Sequence, residues 1–358
     1  MGYRFKLGED FAKGLRRIGD EQIERAIAQL TSAEAGAAVH ETRKCLKRVR
    51  ALLRLVRSSI GKAAFARENK RFGDIGRMLS ESRDQAVLRA TLDKLMAEHP
   101  EHAAILRGLK KKCIPDPTNG KHQVGSRLAT RARRLLEKSR DDWHALALDQ
   151  DGFEPIGQGL ARGLSDLRSV LMAAEVGDDE AVHDWRKAVQ RHWRHMLLLR
   201  EAWPEYFEAR AAEAKEVSEL LGLAQDLTLL IAHTKRSVGL HVTPAKAEVV
   251  VSLAKAKRQT LRQVARERCV RLVAEGPDGH AQRAEDYWHA ACGLKAKATV
   301  PSARHTREVR VEAHAAALEG LPRAARKSSA ARKVPSRPPR GATAKPGGRK
   351  RPRGRKVR

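Results

Sequence analysis

Aromatic residues are scarce in this chain of 358 residues: six Phe, five Trp and three Tyr, 4% in all. Single-stranded nucleic acid is held largely by bases stacked on aromatic side chains, so a sequence this poor in them argues against such a surface. Cysteine is scarcer still. Cys45, Cys113, Cys269 and Cys292 lie far apart, which excludes a disulfide framework of the secreted type and a zinc site built on paired cysteines. They read as small buried apolar residues in a reducing compartment. No apolar run approaches the roughly 18 residues of a membrane span. "MGYRFKLGED" has no apolar signal-peptide core, and Lys6 stands where a myristoylation signal needs Ser or Thr. Acids are also in deficit, with 43 Asp and Glu against 72 Lys and Arg, a net charge of +29. That surplus is too large for solubility alone and points to a polyanionic partner.

What is present is helix-forming sequence. Ala, Leu, Glu, Lys and Arg dominate residues 10–275, and alternating β-branched runs are scarce, so the expected fold is all-α. A hydrophobic content of 41% suffices for one large helical domain or two smaller ones. Breaks are expected at Gly61, at His99-Pro100, at "IPDPTNG" (114–120), at "DQDG" (149–152), at Gly177, at Pro204 and at "HVTP" (241–244). Residues 276–320 read as one or two further helices of open placement. From Leu321 onward, fifteen Lys or Arg and no acid stand among Pro and Gly, the composition of a disordered tail. The first 320 residues still hold 57 basic against 43 acidic residues, so the folded part is basic in its own right.

The charge is patterned. Wound at about 100° per residue, "AVHETRKCLKRVRALLRLV" (38–56) gathers His40, Arg43, Lys44, Lys47 and Arg54 on one stripe, with Arg48 and Arg50 on its flanks. Cys45, Leu46, Val49, Leu52, Leu53 and Val56 take the other face, which is expected to pack on a core. "AVHDWRKAVQRHWRHMLLL" (181–199) repeats the first stretch 143 residues later, and "LGLAQDLTLL" (221–230) echoes "LSESRDQAVL" (79–88) at an offset of 142, placing Asp226 on Asp84. Two blocks at nearly one offset predict a duplicated, pseudo-symmetric pair of helical bundles at 5–118 and 124–275. In the second copy His183, Arg186, Lys187, Gln190 and Arg194 share the stripe, and Arg191 stands in register with Arg48.

Two more helices carry stripes free of acid: Arg127, Arg131, Arg134 and Lys138, and Lys255, Arg258, Arg262 and Arg266. A solvated helix face normally mixes signs to gain i,i+4 pairs, each worth about 0.2–0.5 kcal/mol. Four helices that forgo this can face a polyanion, Arg offering forked donors and Lys a point charge. From His40 to Arg54 the first stripe spans roughly 21 Å. His40 and His183 can donate to a bound anion, or can be helix-start histidines bonded to backbone or acid. Asp84 and Asp226 can orient an Arg or His on a facing helix, or form ordinary ion pairs. Trp185 and Trp193 are expected to pack at the core or its rim.

Enzyme motifs fit poorly. "GQGLARG" (157–163) lacks dinucleotide-loop glycine spacing and a preceding strand. "DQDG" opens like a calcium loop but has Leu160 where Glu is needed. There is no Walker loop and no HExxH, and the stripes gather no carboxylates for magnesium. Neither a cofactor nor a catalytic site is expected.

Two helical halves, each with a Val-His-x-x-Arg-Lys helix, and an Arg-Asp-x-x-Val-Leu segment after the first, resemble the CHAD family, the conserved histidine α-helical domain. "GFEPIGQGLARGLSDLRSVL" (152–171) is similar to the family's segment before the second histidine, and the resemblance covers roughly residues 5–275. It implies paired four-helix bundles and non-enzymatic binding of inorganic polyphosphate by the striped helices, in the cytoplasm and on polyphosphate granules. Arg and Ala richness points to a bacterial source. This sequence departs from the pattern at Gln190 opposite Lys47, at Leu197 opposite Arg54 and at Gln225-Asp226 in place of Arg-Asp. It also lacks the Glu-x-Glu-x-Lys signature of the triphosphate-hydrolase domain that some relatives carry. The alternative partner is DNA, held without sequence preference by the basic groove and the tail.

Overall fold

Helix formers and their punctuation set the element order in the computed structural model, which describes residues 2–31, 35–79, 84–114, 126–176 and 178–299. Among the described residues eleven α-helices form and no strand. The first six are α1 (Phe11–Thr31), α2 (Ala35–Leu55), α3 (Lys62–Met78), α4 (Asp84–Glu98), α5 (Ala103–Cys113) and α6 (Ser126–His144). The rest are α7 (Glu154–Val176), α8 (Asp179–Leu198), α9 (Pro204–Arg236), α10 (Pro244–Leu272) and α11 (Pro277–Thr299). The fold is all-α, and no described helix is long and apolar enough to cross a membrane.

The punctuation acts through backbone chemistry. Gly61 (φ 78°) and Gly152 (φ 70°) adopt left-handed backbone just ahead of α3 and α7, which other residues enter only with strain. Pro204, Pro244 and Pro277 open α9, α10 and α11, where a missing N–H is no loss. Asp178 caps α8, accepting from the Glu180 and Ala181 amides at 3.0 and 3.2 Å. The break between α3 and α4 has no counterpart in the sequence expectations. Phe11 and Glu154 open α1 and α7, 143 residues apart, and Lys62 and Pro204 open α3 and α9, 142 apart.

The helices pack around three cores. α1 packs on α2 and α6, and α3 on α2 and α6. Their core takes in the whole predicted apolar face of α2, from Cys45 to Val56, every member 2% exposed or less. Each fully buried Leu there contributes about 2 kcal/mol. α8 packs on α7 and α9, and α9 on α10, around Leu164, Leu167, Trp185, Val189 and Leu221. α4 packs on α9 and α5 on α10, so Leu92, Leu95 and Leu106 share a third core with Leu230 and Val250. α11 lies on α7 and buries Trp288 against Phe11 and Phe153 at ring-centroid distances of 5.1 and 6.3 Å.

Two contacts fix where the cationic helices meet. A Cβ at Gly159 of α7 would lie 1.7 Å from the Leu55 carbonyl oxygen, so only glycine lets α7 lie against the end of α2. On α8, buried His195 donates from Nε2 to the Ala51 carbonyl of α2 at 3.0 Å. Burial pushes its pKa down to about 3, so the ring is neutral and serves as a helix-to-helix tie. The segment before α1 straps across the same end. Phe5 donates its amide to the Leu198 carbonyl at 2.8 Å, and buried Tyr3 donates to the Arg48 carbonyl at 3.1 Å.

Candidate functional site

α2 and α8 meet along their polar stripes, and between them opens a groove of about 460 Å³. From α2 it is lined by Arg43, Lys47, Arg50, Ala51 and Arg54, and from α8 by His183, Arg186, Lys187, Gln190, Arg191 and Arg194. Eight Arg and Lys side chains thus share one cavity whose described lining includes no acid and no Phe, Tyr or Trp. Described acids stand around it. Asp184 holds Lys187 at 2.8 Å and Asp166 of α7 holds Arg191 at 3.3 Å.

Crowding marks the cations electrostatically. Burial first, then the guanidiniums of Arg191, Arg50 and Arg57, push Arg54 down to about 10. Burial does the same to Arg194, also to about 10, with Arg48 adding to it and Tyr3 opposing. Arg50 and Arg191 are lowered too, chiefly by burial. His183 is held below its ordinary value by partial desolvation and then by Lys187 and Arg186. An anion placed among these groups reverses the repulsive part of each shift.

Neighbouring elements aim the side chains. Arg50 donates from Nε to Asn69 of α3 at 3.0 Å, and Gln190 donates to Ser218 of α9 at 3.1 Å. Arg194 donates to the Gln190 carbonyl at 2.6 Å, and its guanidinium lies 5.0 Å from the Trp193 ring centre. Arg186 lies against α9 at Gly222, where a Cβ would come within 2.8 Å of its Nη2.

A match to the family model of the CHAD domain extends over residues 17–235. The chain belongs to the CHAD family. Among solved structures, PptA from Streptomyces chartreusis aligns at 15% identity with a TM-score of 0.47, over 72% of this chain and 99% of its own. No curated protein matches the chain.

Within this CHAD fold the structure sorts the sequence-predicted residues. All those of α8 reach the groove, as do Arg43, Lys47, Arg50 and Arg54. Lys44 instead bonds Glu41 at 2.7 Å. Arg48 turns to α1, donating to Gln22 at 3.2 Å with the Tyr3 ring centre 5.6 Å from its guanidinium. His40 is exposed and is not among the lining residues. The groove-facing line of α2 is rotated about 20° from the stripe read off the sequence, which brings Arg50 in and leaves Lys44 out.

Of the four striped helices, two line this groove. Arg127, Arg131, Arg134 and Lys138 are exposed on α6, which packs on α1 and α3 and contributes nothing to the groove lining. Arg258 and Arg262 of α10 line a separate pocket, and both bond Asp179 at the start of α8. The acid missing from the α10 stripe is supplied by another helix. Trp185 is buried and donates to Cys269 Sγ at 3.3 Å, while Trp193 packs at the rim. The Asp84 side chain, residues 300–320 and the tail from 321 to 358 lie outside the described residues.

Sequence reasoning missed Arg57 and Arg162, which line a narrow cleft shared with Arg54 and Arg191. Arg57 follows Arg50 and Arg54 at helical spacing and could have been found by extending the stripe one turn. Arg162 aligns with Gly19 in the repeat, so no internal comparison could reveal it. Among the described residues no cluster of three or more His, Cys, Asp or Glu is placed to hold a metal ion.

Proposed function

We propose that this CHAD protein binds inorganic polyphosphate, without catalysis, in the groove between α2 and α8. The observation that carries this reading is the convergence of eight cations, from helices about 140 residues apart in sequence, on one cavity whose described lining holds no acid. A linear polyphosphate brings about one charge per phosphate and no other recognisable group, so spaced guanidiniums and ammoniums are the receptor it requires. The absence of aromatic side chains from the groove lining favours it over single-stranded nucleic acid. A cytoplasmic location on polyphosphate deposits follows from that partner, and the basic tail is proposed to add attraction to any polyanion, DNA included.

The test is a pair of variants with equal change in net charge. Arg43→Gln, Lys47→Gln, Arg186→Gln and Lys187→Gln together remove half the groove cations. Arg127→Gln, Arg131→Gln, Arg134→Gln and Lys138→Gln remove the α6 stripe. In titrations with long-chain polyphosphate across a salt series, the groove variant is expected to lose affinity and to flatten the log K against log salt slope by about 3, at about 0.7 per phosphate contact. The α6 variant should change both far less. Equal losses in the two would reduce the effect to net charge and remove the site.

A further inference from the structure

On the other side of α8 lies a second basic pocket, of about 470 Å³. Its cations, Lys255, Arg258, Arg262 and Arg266, all come from α10, and its floor is apolar, formed by Ala174, Val182 and Trp185. The α8 positions that face the two cavities differ by about 140° around the helix, so one ligand segment cannot line both. Arg266 is aimed by a bond to the Leu171 carbonyl at 3.3 Å, and Arg258 by one to Thr228 at 3.2 Å.

Among the described residues one carboxylate is bonded within this cluster. Asp179, the first residue of α8, bonds Arg262 and accepts from Arg258 at 3.3 Å on each oxygen. The two Arg side chains are only 22% and 24% exposed, whereas Asp179 is 46% exposed. The guanidiniums are therefore held in place while the carboxylate can swing into solvent. Asp178, not Asp179, caps the helix, so that movement leaves the helix start intact.

We propose that this pocket is a second anion site in which Asp179 occupies the position of a phosphate oxygen, so that a phosphate chain enters by displacing it. The choice of a phosphate chain as ligand rests on the function proposed above; the pocket and its competing carboxylate do not. Displacing Asp179 releases the two guanidiniums it holds to the incoming anion. The apolar floor keeps water from one side of the guanidiniums and strengthens their pull on an anion.

The test uses the full chain carrying the four groove substitutions given above, titrated with inorganic tripolyphosphate. Adding Asp179→Asn is expected to tighten the remaining binding about fivefold, the weight of a partly exposed ion pair. Adding Arg258→Gln and Arg262→Gln as well should abolish that gain. Arg262→Gln alone, which leaves the start of α8 untouched, should weaken the remaining binding. No gain from Asp179→Asn, or a gain that survives loss of both arginines, overturns the second site. Failure of the groove reading would show separately, as unchanged polyphosphate affinity when the groove substitutions are made in the otherwise native chain.

Discussion

His183 is the group in the groove whose charge can change near neutral pH. Desolvation, Lys187 and Arg186 hold its pKa below 6.5, so the free protein carries a neutral ring at pH 7. A bound polyanion favours the protonated form and raises the pKa, so binding takes up a proton and affinity rises as pH falls through the window between the free and bound values. In calorimetric titrations at pH 7 the apparent enthalpy should depend on the ionisation heat of the buffer, and His183→Gln should remove that dependence; proton uptake that persists in the variant would assign it elsewhere. At this scale the sequence was legible in part. The Ala-Val-His-x-x-Arg-Lys register correctly put Arg186 and Lys187 beside His183. Lys44 and Arg48 were beyond its reach, because Glu41 on the same helix and Gln22 on α1 decide where they point.

Four helices carry stripes that look alike in sequence, and the fold treats them differently. A helical wheel describes one helix's polarity and contains nothing about which helix stands opposite. α2 and α8 face each other because Gly159 and His195 bring α7 and α8 onto α2. Among the described residues no cationic stripe faces that of α6. The same limitation hid Gly222, an unremarkable helix-interior glycine until Arg186 is seen lying against it, its Cζ 3.3 Å from where a Cβ would be. Gly222→Ala should displace that guanidinium and weaken polyphosphate binding severalfold, about 1 kcal/mol for one charged contact. Thermal stability should hold or rise, since Ala exceeds Gly in helix propensity by about 1 kcal/mol. Unchanged affinity in a folded Gly222→Ala protein would mean that Arg186 makes no contact with the ligand.

Across the molecule the all-α fold was legible from composition and punctuation, because Gly and Pro act locally and at fixed positions relative to helix ends. Long-range assembly was not. Nothing in residues 84–114 signals that α4 and α5 complete a core with α9 and α10, and nothing in "AEDYWHAACGL" says that Trp288 packs on Phe11 and Phe153. The sequence's net charge of +29 makes diffuse attraction to any polyanion unavoidable, so a built site is distinguished by place: the proposed ligand sits between α2 and α8. Lysine reactivity reads place directly. With polyphosphate added below one chain per protein, acetylation rates would be followed by mass spectrometry at Lys47 and Lys187, which line the groove, and at Lys138, exposed on α6. The expected result is strong protection of Lys47 and Lys187 with Lys138 reacting at its original rate, and equal protection of all three would contradict a binding site in the groove.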